Sequence, residues 1–344
     1  MKYLFLMVGV FATATAFAQS QSIREAPSTT GARYVGPSVK TTIKPGEKIG
    51  DLFGRNMNQP YILQRLTQRS YFFQRSFYAT TFYVGDAGVL LFDAPEGRGE
   101  QLLKAIREVT ALPVTTLVYS HFHVDHVGDA QFWVDEARKA GINLRLVATQ
   151  ATAEKMAFMQ SRLPKPTLVL SNLTDSFKFE NLTAEVHRFA HPAHTDDHSV
   201  WLLKEEKVLH GPDLLNPDQL PMMGFAVSDT IVYRESNLKE AAALDWDYCV
   251  AGHGNIGSKK DFEFELTFLN DIRSATLEAR RREPFAGHMK LAANNHAAFA
   301  RSQRDAITQR VIEAMRPKYG HLYGFDASMP ANVELAIRLV GSYY

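Results

Sequence analysis

Between Ser120 and His126 the chain reads Ser-His-Phe-His-Val-Asp-His, which places three imidazoles (His121, His123, His126) and one carboxylate (Asp125) within six residues. Neutral imidazole nitrogen and carboxylate oxygen are the donors that zinc and other borderline divalent ions take, and a catalytic site built from them keeps a position open for water. The run therefore points to a metal that activates water. Alternate residues of an extended chain point the same way, so His121 and His123 can face one ion while Asp125 and His126 fall where the chain turns away. That arrangement favours two metals over one. A surface loop whose histidines merely titrate would have the same composition, but it would have no partners elsewhere in the chain.

The elements around the run must present it. Leu117-Val118-Tyr119 is short, apolar and β-prone, and Val127 to Ala140 carries helical spacing at Val127, Ala130, Phe132, Val134 and Ala137 before Gly141. The donors thus sit at the carboxyl end of a strand, where α/β layers place their sites. Upstream, Ala79 to Tyr83 and Val89 to Phe92 flank the turn Gly85-Asp86-Ala87-Gly88 as a hairpin, and a helix follows from Gly99 to Val109. Downstream, Ile142 to Ala148 alternates apolar and polar, and Ala151 to Arg162 reads as a helix stopped by Pro164. Strands are expected around Phe177, Val186, Val200 and Val208, and Asn237-Leu238-Lys239-Glu240 has the pattern of a helix cap. From Ser258-Lys259-Lys260-Asp261, again cap-like, the chain turns helical through Phe262, Leu266, Leu269 and Ile272. Further helices are expected over Arg301 to Met315 and Asn332 to Val340, their apolar stripes packed on the core or on a partner subunit. Strands and helices alternate throughout, so the expected α/β (α+β) architecture is an αββα sandwich with a C-terminal helical extension.

The central run resembles the signature of the metallo-β-lactamase-fold hydrolases, His-x-His-x-Asp-His at the end of a core strand, here His121, His123, Asp125 and His126. The likeness extends in family order from about Ala79 to Ser258, and the donor set resembles that of the glyoxalase-II-like and lactonase-like binuclear members. It implies a third histidine for the first metal in a His-Thr step before a strand, which His194-Thr195 supplies. It implies a metal-bridging carboxylate after the next hairpin, matched by Asp213, and a last ligand in a Gly-His-Gly loop, matched by His253 in Gly252-His253-Gly254. Asp93, closing Val89 to Phe92, corresponds to the family's supporting acidic residue. On this resemblance His121, His123 and His194 hold one divalent ion, Asp125, His126 and His253 hold a second, and Asp213 touches both. A hydroxide bridging the pair would attack the substrate. Asp125 is the catalytic residue, hydrogen-bonding the hydroxide and carrying a proton to the leaving group. Zinc is the first expectation for both ions, with iron, manganese and nickel accepted by the same donors. In one departure, Pro212 stands where glycine usually precedes the bridging aspartate. Its fixed φ and missing N–H predict a different approach to Asp213.

Other histidines carry weaker signals. His187 alternates with apolar residues on a strand and reads as structural. His191 and His198 flank His194 closely enough to orient ligands or line an entrance, and His210, leading to Asp213, reads as lining the cavity. His288, His296 and His321 read as ordinary packing or surface residues. Cys249, the single cysteine, lies in an apolar strand and reads as a core residue, not a ligand.

The chain has 344 residues, 45% of them hydrophobic and 22% charged, with a formal net charge of +1. That is ordinary globular composition, and scattered Lys and Arg leave no footprint for nucleic acid or an anionic membrane. Met1-Lys2, the apolar stretch Tyr3 to Phe17 and Ala16-Phe17-Ala18 read as a signal peptide over residues 1–18, cut after Ala18. A periplasmic or secreted address without a stable membrane anchor follows. Residues 19–68 read as an extended lead-in with one short helix near Tyr61, 69–258 as the catalytic domain, and 259–344 as a helical extension like those some family members lay across the substrate opening. Leu220 to Phe225 is apolar and fits either a substrate-facing loop or core packing. The expected partner is a small-molecule substrate with an apolar portion, and a homo-oligomer is left open. Asp213 favours hydrolysis of a carboxylic ester, lactone or thioester. Dedicated β-lactamases of this fold carry cysteine or serine near that point, which ranks β-lactam hydrolysis second. A mono-iron, sulfur dioxygenase-like oxidoreductase is a different class that the complete second set argues against, and a non-catalytic metal binder is a third.

Overall fold

In the computed structural model, which describes residues 27–291 and 295–343, short apolar strands alternate with amphipathic helices. The leader expected over residues 1–18 lies outside the described residues. The lead-in gives β1 (Tyr34–Val35), β2 (Lys48–Ile49) and α1 (Leu52–Asn58). Then come β3 (Ile62–Arg65), β4 (Ser70–Arg75), β5 (Tyr78–Val84), β6 (Val89–Phe92), α2 (Gly99–Val109), β7 (Val114–Val118), the single turn α3 (Val124–Val127), α4 (Ala130–Lys139), β8 (Arg145–Thr149), α5 (Gln150–Phe158) and β9 (Leu168–Leu170). The second half runs β10 (Thr174–Phe179), β11 (Leu182–Arg188), β12 (Ser199–Leu203), β13 (Val208–His210), the turn α6 (Met223–Val227), α7 (Arg234–Ala242) and β14 (Tyr248–Val250). Helices α8 (Lys259–Arg282), α9 (Phe285–His288), α10 (His296–Tyr319) and α11 (Phe325–Tyr343) close the chain.

Strands β3 to β9 form a seven-stranded sheet in sequence order, and β10 to β14 form a five-stranded sheet. Alternation along each strand divides its side chains between two cores. Phe72, Leu90, Phe92, Val118 and Val147 meet Phe177, Val186, Trp201, Val208 and Val250 between the sheets. The opposite face of the first sheet, with Leu91, Leu117 and Leu146, packs on Leu102 and Ile106 of α2 and Ala130 and Trp133 of α4. Val200, Leu202, Leu209 and Cys249 of the second sheet pack on Leu238 of α7, Trp246 and Phe262 of α8. The result is the expected αββα sandwich.

Three differences from the sequence reading have physical causes. The short helix is α1, not a segment at Tyr61, and Ile62–Arg65 pairs antiparallel with β4, so the first sheet begins inside the stretch read as lead-in. That strand is short, and the inward-facing Gln64 hides its pattern; its buried amide accepts from Ser38 N–H and donates to Thr41 O. Asn237 lies within α7 instead of capping it, and its side chain accepts from Ala193 N–H and donates to His191 O. Helix α5 ends at Phe158, short of Arg162, and Gln160 adopts φ 51°.

The C-terminal helices have their own core, in which Phe268, Ile272, Ile307, Val311, Met329 and Val333 enclose Leu220 and Phe225 from the loop after β13. Helix α8 starts with a capping box between Ser258 and Asp261. Asp261 also receives Lys48 Nζ of β2 at 2.9 Å, both side chains being buried, while Lys48 donates as well to Ile256 O. The lead-in is thereby clasped to the start of α8. No helix among the described residues is long and apolar enough to cross a membrane.

Lys48→Met strands the Asp261 charge in the interior, a change that costs about 3–5 kcal/mol. The expected reading is a lower urea midpoint with unchanged m-value. A loss below about 1 kcal/mol would show that the clasp contributes only as a surface pair does.

Candidate metal centre

The parallel strands β6 and β7 end side by side, Phe92 pairing with Val118. Their next residues, Asp93 and the run Ser120 to His126, therefore emerge together at one end of the sandwich. In the second sheet β12 begins where β13 ends, because the two are antiparallel, Trp201 pairing with His210. This brings His194, just before β12, beside Asp213, just after β13. Strand β14 lies parallel to β13 and delivers His253 to the same end.

All seven sequence-predicted donors converge here. The ligand atoms of His121, His123, His194 and Asp213 lie within 4.8 Å of one another, and so do those of Asp125, His126 and His253. Within the first group His194 Nε2 is 3.3 Å from His121 Nε2 and 3.1 Å from His123 Nδ1. Within the second, Asp125 Oδ2 is 3.4 Å from His126 Nε2 and 3.5 Å from His253 Nε2. Asp213 joins them: Oδ2 is 3.2 Å from His194 and 3.0 Å from His126, and Oδ1 is 3.2 Å from His253.

The far nitrogen of three rings is engaged, which sets the near one. His194 Nδ1 donates to the carbonyl of Ala226 at 2.6 Å, because a carbonyl can only accept. His253 Nδ1 donates to Phe77 O at 3.3 Å. His121 Nδ1 meets Ser120 Oγ at 2.9 Å, and since that hydroxyl gives its proton to Asp93 Oδ2, the imidazole is the donor. Asp93 also accepts from Ser120 N–H and from His210 Nε2, so it anchors the whole start of the run. With Nδ1 as donor, Nε2 of neutral His121 and His194 each present a lone pair to the other across 3.3 Å. Buried His126 has no hydrogen-bond partner for Nδ1, and its Nε2 faces Asp213 Oδ2 at 3.0 Å. Facing lone pairs beside buried carboxylates suit a cation between them, and the nitrogen and oxygen donors fit divalent metals.

The electrostatics agree. Burial opposes charge on Asp213, but the surrounding His126, His194 and His253 hold its carboxyl well below the usual range. Burial drives His121 well below its ordinary value and lowers His123. Burial also disfavours charge on His253, yet Asp213 and Asp125 outweigh it and push its pKa up to about 10. His126 is raised against the same burial by Asp213. The two carboxylates thus favour positive charge on these two rings, where a cation's charge would belong.

Several supports were not visible as motifs. Asp213 has φ 60°, outside the ordinary range for a residue with a side chain. Its carbonyl accepts from buried Arg234, which Glu265 of α8 holds through Nε at 2.7 Å. Pro212 O, just before it, accepts from His198 Nε2 at 2.7 Å, and burial keeps that imidazole neutral, its pKa lowered to about 3. Gly252 must be glycine, since a Cβ there would sit 2.6 Å from His126 Cε1 and 2.8 Å from Pro212 Cβ. Turn α6 is left-handed, with φ between 50° and 76° from Met223 to Val227. Such backbone costs about 1–2 kcal/mol per residue with a side chain, so Met223, Phe225, Ala226 and Val227 together store roughly 4–8 kcal/mol. Leu220 and Phe225 are buried while Met223 is exposed, so the apolar Leu220 to Phe225 segment chiefly packs on the core. Of the remaining histidines, His187 pairs with Glu185, His191 stacks on Tyr233, and His288 lies between Ser302 and Glu283. Cys249 is buried and its thiol is pushed up by that burial, which suits packing.

A family model described as the metallo-beta-lactamase superfamily matches residues 75–253. A curated relative, 2,4-dinitroanisole O-demethylase subunit alpha of Nocardioides sp. (strain JS1661), is 26% identical over 208 residues. That alignment covers 57% of this chain and 58% of the relative, so the chain spans less than two thirds of the relative's length. Among solved structures, a metallo-beta-lactamase from Pontibacter korlensis superposes with TM-score 0.51 at 19% identity, covering 61% of this chain and 99% of that one. Metallo-beta-lactamase IND-7 gives 0.52 at 19%, covering 62% and 99%. At these identities the likeness is one of fold.

Cations must displace the proton that His253 holds, so loading of the second group releases about one proton near neutral pH. Affinity then falls as pH falls and rises toward His253's pKa of about 10. Isothermal titration with zinc in buffers of different ionisation enthalpy reads the proton count from the slope. A flat dependence would contradict a protonated His253.

Proposed function

The chain belongs to the metallo-beta-lactamase superfamily, and we propose that it is a binuclear metal-dependent hydrolase acting on a carboxylic ester, lactone or thioester. Asp213 carries this choice: it is buried between the two donor groups, with one oxygen toward His126 and His194 and the other toward His253. A carboxylate there would tie two ions at a fixed separation. His121, His123 and His194 would hold one, and Asp125, His126 and His253 the other. Bound divalent cations supply Lewis acidity toward a carbonyl and lower the pKa of water. Zinc is the first choice for this nitrogen and oxygen set.

The chain's own residues divide the remaining work. Ser120, Ala226 and Phe77 fix the tautomers of His121, His194 and His253, so that the donor nitrogens need no reorganisation. Ser120 is occupied by Asp93 and Cys249 is buried, so neither is placed as a nucleophile. Asp125 differs from Asp213 in exposure, its side chain being 34% exposed against 6%, and so it faces the open side. Burial works against its ionisation, but the hydrogen bond from His253 keeps its carboxyl below the usual value, so it is ionised at neutral pH. Asp125 is therefore the residue assigned to take the water's proton and pass it to the leaving group. Exposed Val124, beside His123, and Met223 and Val227 on α6 favour a substrate with an apolar portion. The O-demethylase relative gives a second reading, cleavage of an activated aryl ether, some support.

A panel of thioesters, lactones, aryl and alkyl esters, 2,4-dinitroanisole and a chromogenic cephalosporin, run with zinc-loaded protein, tests the assignment. Turnover is expected to be highest on the first three classes; cephalosporin as the best substrate would overturn it. Asp125→Asn should lower kcat on alkyl esters by roughly 10²–10⁴-fold and on nitrophenyl esters by less, because only the poorer leaving group needs the proton. Equal losses on both would remove Asp125 from proton transfer.

A further inference from the structure

Turn α6 is left-handed over five successive residues, only one of which is glycine, and it carries the carbonyl that orients His194. Its hold comes from the C-terminal helices. Asn332 of α11 is fully buried; its Oδ1 accepts from Phe225 N–H at 2.9 Å and its Nδ2 donates to Pro221 O at 2.7 Å. Phe225 and Pro221 are four residues apart, the spacing of a helical hydrogen bond, and the neighbouring bonds of that spacing, Ala226 N to Met222 O and Ser228 N to Gly224 O, are made directly. The amide of Asn332 thus stands in for the bond between Phe225 and Pro221, offering one acceptor and one donor. Phe225 packs on Phe268 of α8, and Leu335 of α11 would lie 3.2 Å from a Cβ at position 224, which closes the same end of the turn. On the output side Ala226 O accepts from His194 Nδ1 at 2.6 Å, and Asp229 N–H donates to His194 O at 3.0 Å.

We infer that Asn332, which lies outside the segment matching the family, is a positioning residue for the His121, His123 and His194 donor group, acting through α6. The inference rests on reading those histidines as metal donors. Without the amide bridge the disfavoured backbone relaxes, Ala226 O leaves His194 Nδ1, and the ring loses both its tautomer and its orientation.

The test uses the full chain and reads metal binding, not turnover. Asn332→Ala should keep its far-ultraviolet circular dichroism while one of two zinc affinities, measured against a chromophoric chelator, falls by about 10- to 100-fold. The visible absorption of the cobalt-loaded protein should change with it. Asn332→Ala combined with Val227→Gly should recover most of the affinity, because glycine adopts the left-handed backbone without strain. A folded Asn332→Ala with wild-type affinity at both sites and an unchanged cobalt spectrum would overturn the inference, as would a loss of thermal stability alone. If the alanine variant does not fold, Asn332→Asp keeps the acceptor and gives up the donor; a smaller loss in the same direction supports the role, and unchanged affinity refutes it. Wild-type protein that takes up no zinc would instead overturn the reading of the histidines as donors, a separate outcome.

Discussion

Five imidazoles and two carboxylates aimed at one another across 3.0–3.5 Å set the terms for everything around them. Brought together without positive charge, their lone pairs repel, and most of these groups are buried from the water that would otherwise solvate them. Positive charge would resolve the conflict, and the two carboxylates accordingly raise the pKa of His126 and His253. The αββα sandwich supplies the geometry because parallel strands end together, so donors from distant parts of the chain reach one end of two sheets.

Holding them there requires backbone that the chain would not otherwise adopt. Asp93 and Asp213 have φ of 54° and 60°, and α6 is left-handed throughout. Each is restrained by side chains buried elsewhere: Asp93 by Ser120 and His210, Asp213 by Arg234 and Glu265, and α6 by Asn332. The last two restraints originate in α8 and α11, beyond the family-matched segment that ends at residue 253. The C-terminal layer is therefore more than a cover, because its side chains restrain the backbone of Asp213 and the turn whose carbonyl faces His194. The lead-in acts similarly at the other end, where Lys48 fixes Asp261 and Ile49 exchanges hydrogen bonds with Asn255, two residues after His253.

The donors were legible because each sits in a local pattern: a dense histidine run, a His-Thr step, a Gly-His-Gly loop. The layers were legible from alternation and helical periodicity, down to the limits of α2 at Gly99 and Val109. What escaped was polar and long-range. Gln64 broke the pattern of β3 because its amide is satisfied by a segment more than twenty residues away. Asn237 looked like a cap because its type is the same whether it serves its own helix or Ala193. Asn332 and Arg234 give no local signal, since their partners are brought to them only by the fold. The left-handed α6 contains Val227, a β-branched residue no local rule would place there.

The most direct test is anomalous diffraction at the zinc edge from crystals of the zinc-loaded chain. Two peaks about 3.5–4 Å apart, one bounded by His121, His123 and His194, the other by Asp125, His126 and His253, with Asp213 reaching both, are the predicted result. A single peak, or peaks away from Asp213, would contradict it.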